Sequence, residues 1–184
     1  MMRVYTIGHS NRGLDDFLEL LEEHGIEVVI DVRRWPTSSK YPHFNGDRLR
    51  EALRGRGVDY LWLGDVLGGY RRYSLGENSP NKGWSREGFR NYADYALTEE
   101  FRRGLERILE IAEGRRVAIM CSEKFYWRCH RRIISDHLHS RGVEVLHIID
   151  RGRLRRHRLT SFAVVRDGVP IYPPRMAEDK LRES

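Results

Sequence analysis

Cysteine is scarce in this chain: two residues among 184, Cys121 and Cys129, eight apart. Two thiols do not make a disulfide framework, so a small stapled secreted scaffold is excluded. Long apolar runs are missing too. None approaches the roughly 18 residues that a membrane span requires, and no contact with a membrane is expected. The opening MMRVYTIGHS enters a strand directly and lacks the apolar stretch and cleavage site of a secretory signal, which points to the cytoplasm. Lysine is rare as well, 4 residues against 29 arginines, in a chain of net charge +6.

What the chain does contain is a globular mixture, 40% apolar and 33% charged, of a length suited to one domain. The arginine excess favours anionic partners, a small molecule or nucleic acid, because guanidinium forks match phosphate and carboxylate. Arginine-rich ion-pair networks on an ordinary surface would produce the same composition. Basicity by itself settles nothing.

Patterning along the chain predicts strands at Val4 to Gly8, Glu27 to Val32, Val58 to Leu63, Val117 to Met120 and Val143 to Ile149. Between them, Leu14, Phe17, Leu18 and Leu21 fall at helical spacing up to a Gly25 stop. Leu49 to Leu53 forms a short helix, Phe89 to Ala112 a longer one broken near Thr98, and Ile133 to Leu138 a last one. Strands alternating with helices imply an α/β fold: one domain, a mostly parallel sheet of about five strands, helices on both faces. Residues 1–150 make this core. Residues 151–174 carry the basic run RGRLRRHRL and a C-terminal β-hairpin around Asp167-Gly168, and residues 175–184 read as a frayed tail. Gly64 to Gly88 is a long irregular segment, a length that is usually functional, and its aromatics and arginines suggest a lid.

The densest chemistry lies in RRVAIMCSEKFYWRCHRRIISDHL, Arg115 to Leu138. Strand, polar turn and helix in that order carry Cys121, Glu123, Cys129, His130 and Arg131 to the carboxyl edge of the sheet, where open α/β sheets bind ligands. The same edge receives His9 and Ser10 from the first strand, Asp31 and Arg33 from the second, and Gly68-Gly69 after the third. Glu123, His9, Cys121 and Asp31 are the catalytic candidates. Ser10, Arg33, Cys129, His130, Arg131, Tyr70, Arg71 and Arg72 are the candidates for holding substrate. His130 and Arg131 open a helix and would clamp an anion. Each has a plainer reading: a buried cysteine packs as a small hydrophobe, Asp31 and Arg33 pair with each other, Ser10 caps a helix. Zinc ligation by both cysteines with His130 and His9 is disfavoured by the wide thiol spacing.

YTIGHSNRGLDDFLELLEEHGIEVVIDVRRWPTS, YPHF, LGG and CSEKFYWRCHR with GVEVLHI together resemble the prokaryotic family called domain of unknown function 488, from Tyr5 to about Ile148. That likeness implies a fold and no activity, cofactor or site. IDVR after a first helix, and Cys121 closing a strand before GVEVLH, are more loosely similar to rhodanese-like domains, which implies a sulfur carrier on Cys121. Against it, the stretch from Cys121 to Cys129 has no glycine to turn backbone N–H groups inward. Glu123 would also oppose thiolate formation two residues away. The expectation is therefore an enzyme acting on an anionic nucleotide or nucleic acid through Glu123. The alternatives are a non-catalytic nucleic-acid-binding module using Arg71, Arg72 and the 151–158 run, and the sulfur carrier.

Overall fold

The computed structural model describes residues 1–175. Chain order is β1 (Arg3–Gly8), α1 (Leu14–Glu23), β2 (Val28–Asp31), α2 (Gly46–Arg54), β3 (Asp59–Trp62), α3 (Gly64–Leu67), α4 (Glu87–Tyr95), α5 (Glu99–Gly114), β4 (Val117–Cys121), α6 (Arg131–Ser140) and β5 (Glu144–Asp150). Three short strands follow, β6 (Arg153–Arg156), β7 (Val164–Arg166) and β8 (Val169–Ile171). The main sheet runs β3-β2-β4-β1-β5-β6, parallel except for antiparallel β6.

Right-handed crossovers decide which face each helix covers. From β1 the chain moves one way through α1 and α2. It then reverses at β3 and returns through α3 to α6. Accordingly Phe17, Leu18, Leu21, Leu49 and Leu53 pack on one face with Tyr5, Ile7 and Val29. Tyr92, Phe101, Leu105, Ile133 and Ile134 pack on the other with Val4, Ile30 and Ile119. The β2 run VVID and the β4 run VAIMC are buried at every position, as strands covered on both faces must be.

Local signals act where the sequence places them. Gly25 ends α1 with φ +64°, a left-handed turn that suits glycine. Thr98 separates α4 from α5, its Oγ1 accepting the Phe101 N–H. The basic run holds one departure, since Arg153–Arg156 pairs with β5 as a sixth strand where about five were expected. Its side chains still point outward and are exposed. The hairpin forms as expected, β7 against β8 around Asp167-Gly168. Of the expected frayed tail only Arg175 is described. Its Nε donates to the Gly83 carbonyl at 2.9 Å, and its guanidinium lies 3.6 Å from the Phe162 ring centre; the rest of that stretch lies outside the described residues.

Gly64 to Gly88 packs back on the domain and does not stand off as a lid. Asp94, fully buried on α4, accepts from Leu75 N–H, Ser79 Oγ and Asn81 Nδ2, so one carboxylate ties down three points of the segment. Trp84 is buried against Phe89, Phe162 and Tyr172.

Candidate functional site

β1, β2 and β4 are neighbours whose onward connections leave on opposite faces, which opens a crevice at their carboxyl ends. The parallel ladder continues past the strands there. His9 N–H donates to the Cys121 carbonyl at 2.9 Å, Ser10 N–H to the Ser122 carbonyl at 2.9 Å, and Val32 N–H to the Met120 carbonyl at 2.9 Å. Gly8 is obligatory in this arrangement: a Cβ on it would lie 1.8 Å from the Glu123 carbonyl oxygen. The loop after Cys121 folds directly onto that glycine.

A cleft of about 610 Å³ opens at this edge, with Cys121, Glu123, Cys129, His130 and Arg33 among its lining residues. Arg34, Arg86 and Arg128 bring positive charge to it, and Trp35, Tyr70 and Phe89 bring aromatic faces. His9 and Ser10 line an adjoining hollow of about 410 Å³, and Ser122 lines both.

At the floor the two sulfurs touch, Sγ to Sγ 3.3 Å. Arg131 Nε donates to Cys121 Sγ at 2.9 Å, and Arg131 N–H to Cys129 Sγ at 3.4 Å. Burial works against charge on Cys121. The Cys129 S–H and the Arg131 guanidinium outweigh it and bring the thiol from 9.0 down to about 6. Burial and the adjacent Cys121 charge push Cys129 well above the ordinary thiol range. The two effects run in opposite directions and favour Cys121 as the thiolate and Cys129 as the proton donor. The opposing effect expected of Glu123 does not prevail, because the Cys129 S–H and the Arg131 guanidinium both act on the sulfur. The Glu123 carboxylate itself accepts the Phe125 N–H at 3.3 Å.

Arg131 is not an anion clamp. It is 1% exposed, and its remaining donors go to Thr6 Oγ1 at 2.9 Å, to the Glu123 carbonyl and to the Lys124 carbonyl at 3.2 Å. His130 Nε2–H donates to the Val32 carbonyl at 2.7 Å, and burial lowers the ring to about 4, so it lines the cleft uncharged. Asp31 does not face the cleft either. Fully buried, it receives Arg33 Nε and Nη2 in a fork and Tyr60 O–H at 2.6 Å, so its work is to hold Arg33. His9 donates Nδ1–H to the Ser10 carbonyl and accepts from Arg33 Nη1 at 3.3 Å; burial lowers it to about 4. Ser10, at φ 49°, does not cap α1, whose N-cap is Gly13. Tyr70 is 84% exposed at the mouth beside Trp35. Arg71 turns back to the Gly64, Asp65 and Gly68 carbonyls and stacks over Tyr95, while Arg72 is exposed away from the cleft lining. Among the described residues no His, Cys, Asp and Glu cluster has metal-binding geometry.

Sequence reasoning missed the support behind Arg131. Arginine only donates, so Thr6 Oγ1 accepts from it and turns its own proton to His147 Nδ1 at 2.6 Å. His147 Nε2–H then donates to His157 Nδ1 at 2.9 Å, and His157 Nε2–H to Asp136 Oδ1 at 2.7 Å. Thr160 and Tyr172 hydroxyls complete the Asp136 carboxylate. Tyr126, in the loop between the cysteines, stacks on His147 with ring centres 3.5 Å apart. The signal was present: Thr6 and His147 are polar residues inside apolar strands, and they are register partners on β1 and β5. The cleft arginine Arg34 was missed too. Arg34 Nη1 is buried with no hydrogen-bond partner among the described residues.

A family model described as Domain of unknown function DUF488 matches residues 13–138, more than half of the chain. The chain belongs to that family. DVR and CHR fall within the match, whereas GHS lies just before it. No curated protein and no solved structure matches the chain, so the looser rhodanese-like likeness finds no support there. Among the described residues no helix is long and apolar enough to cross a membrane.

Proposed function

We propose that this DUF488 chain is an enzyme acting on an anionic, nucleotide-like substrate, with Cys121 as the nucleophile. The observation that carries this reading is the 2.9 Å contact from Arg131 Nε to Cys121 Sγ on the wall of an arginine-rimmed cleft. A fixed guanidinium holds the sulfur as the reactive thiolate. Arg34, Arg86 and Arg128 supply the charge that an anionic group needs, and Trp35, Tyr70 and Phe89 supply faces for a planar ring. In the first half-reaction the Sγ electron pair forms a bond to the electrophilic atom, and the leaving group departs with the electrons of the broken bond. In the second, an acceptor such as water attacks that atom, the Glu123 carboxylate takes its proton, and the thiolate is released.

The binding-module alternative is weaker because several of its charges are engaged. Arg151, Arg153 and Arg156 pair with Glu19, Asp150 and Glu144, and Arg71 is spent on carbonyls. The test is site-resolved alkylation of Cys121 with iodoacetamide across pH, with and without nucleoside monophosphates. The expected midpoint is about 6, with slower labelling when the nucleotide is present. A midpoint near 9.0 would remove the nucleophile, and labelling indifferent to nucleotides would remove the substrate class. Thiosulfate treatment checks the sulfur carrier. Attack on its outer sulfur would release sulfite and leave a Cys121 persulfide, and an unmodified mass removes that alternative.

A further inference from the structure

The structure assigns Cys129 a chemical part of its own: with Cys121 it forms a redox-active dithiol, in which Cys129 is the resolving thiol that closes an intramolecular disulfide. This rests on the reading of Cys121 as a reactive thiolate and goes beyond it. The geometry is already assembled. The sulfurs stand 3.3 Å apart, so closure needs an approach of only a little over 1 Å to reach the bond length of about 2.0 Å. Both belong to the cleft wall, with Cys121 2% exposed and Cys129 more open, so a small reagent entering the cleft meets the pair together. They stand eight positions apart in sequence, and the turn at Tyr126–Arg128 brings them back into contact.

The electrostatics also hand the reaction from one sulfur to the other. While Cys121 is a thiolate it takes the Cys129 proton as a hydrogen bond, and its charge holds Cys129 protonated. Once Cys121 is capped and neutral, that charge is gone. Arg131, whose main-chain N–H already points at Cys129 Sγ, then acts on the second sulfur alone. Consuming the first nucleophile prepares the second.

With a low-molecular-weight disulfide as oxidant the electrons balance. Cys121 thiolate attacks one sulfur, forms a mixed disulfide and expels one thiolate. Cys129 loses its proton to solvent, attacks Cys121 Sγ, forms the Cys121–Cys129 bond and expels the second thiolate. The dithiol loses two electrons and the reagent is reduced to two thiols.

The experiment incubates the reduced full-length protein with oxidised glutathione, alkylates the remaining thiols and maps peptides by mass spectrometry. The expected product is a Cys121–Cys129 cross-linked peptide with no retained glutathione, reversed by dithiothreitol. Cys129→Ser should instead keep glutathione on Cys121. Wild-type protein that retains glutathione on Cys121 while Cys129 is alkylated would overturn the proposal, as would glutathione found on Cys129 with Cys121 free. Either result leaves the thiolate reading standing if the alkylation midpoint of Cys121 stays near 6, whereas a midpoint near 9.0 would remove both.

Discussion

The Cys121 thiolate is favoured by the neighbouring Cys129 S–H and by one buried cation. Arg131 has no carboxylate partner among the described residues, and its charge is matched by sulfur, a hydroxyl and two carbonyl oxygens. Arg131→Met keeps bulk and removes the charge, so only the Cys129 S–H and the Glu123 backbone are left to oppose burial at the thiol. The alkylation midpoint of Cys121 should then rise clearly above about 6. Circular dichroism would confirm that the fold survives, and Arg131→Lys, which keeps the charge but loses the fork, should give an intermediate midpoint. A midpoint unchanged in the Met variant would mean that Cys129 alone sets the acidity. Much about individual residues was legible in sequence, because Cys121, Glu123, Cys129 and His130 needed only one strand-turn-helix to share a cleft. Arg131 was misjudged for a physical reason. At the start of a helix a side chain can turn outward to a ligand or inward to the sheet, and sequence position does not distinguish the two.

Elements matter through how they meet. β1 lies between β4 and β5, which puts Thr6 within reach of Arg131 on one side and His147 on the other. Thr6→Val keeps the shape and removes the link. Arg131 Nη1 and His147 Nδ1 would each lose a buried partner, at a cost of roughly 1–3 kcal/mol per unsatisfied group. The expected result is a modest upward shift in the Cys121 midpoint with a lowered melting temperature. A melting loss with an unmoved midpoint would show Thr6 to be structural only. Gly8→Ala probes the same junction from the loop side. Its Cβ would clash with the Glu123 backbone, so the 122–124 loop must move and both carbonyl contacts to Arg131 must loosen. Slower alkylation at pH 7 is expected, measured beside a control substitution at the unobstructed Gly114, away from the cleft. The elements themselves were legible: each expected strand and helix appears, and Thr98 breaks the long helix where its capping chemistry predicts. Legibility failed at Arg153–Arg156, since an arginine-rich stretch becomes a strand only when a neighbouring edge offers it a ladder.

At the scale of the whole molecule, buried imidazoles set the response to acid. Burial lowers His9, His130 and His137 from 6.5 to about 4. In the unfolded chain these rings take up protons below about 6.5, while the folded chain refuses them until about 4. Their contribution to stability is therefore complete above 6.5 and is lost progressively as pH falls towards 4. At 1.36 kcal/mol per pKa unit, each ring that is fully shielded accounts for on the order of 3 kcal/mol, less for the half-buried His130. Urea unfolding should show a clear fall in midpoint between pH 7 and pH 5 and little change between pH 7 and pH 8. A flat profile over the acid range would mean that the rings accept protons in place.

Period, composition and punctuation determined the α/β class, the parallel core, the hairpin and the set of residues delivered to one edge. Those properties follow from short-range rules: which residues suit strands, where helices stop, which way crossovers turn. Tertiary structure alone decided the rest. It turned Arg131 inward onto Cys121, brought two sulfurs eight residues apart into contact, and ran a line of hydrogen bonds from Thr6 through two histidines to Asp136. Those outcomes depend on which neighbours remain for a buried charge once water is gone, and such neighbours come from strands and loops far apart in the chain.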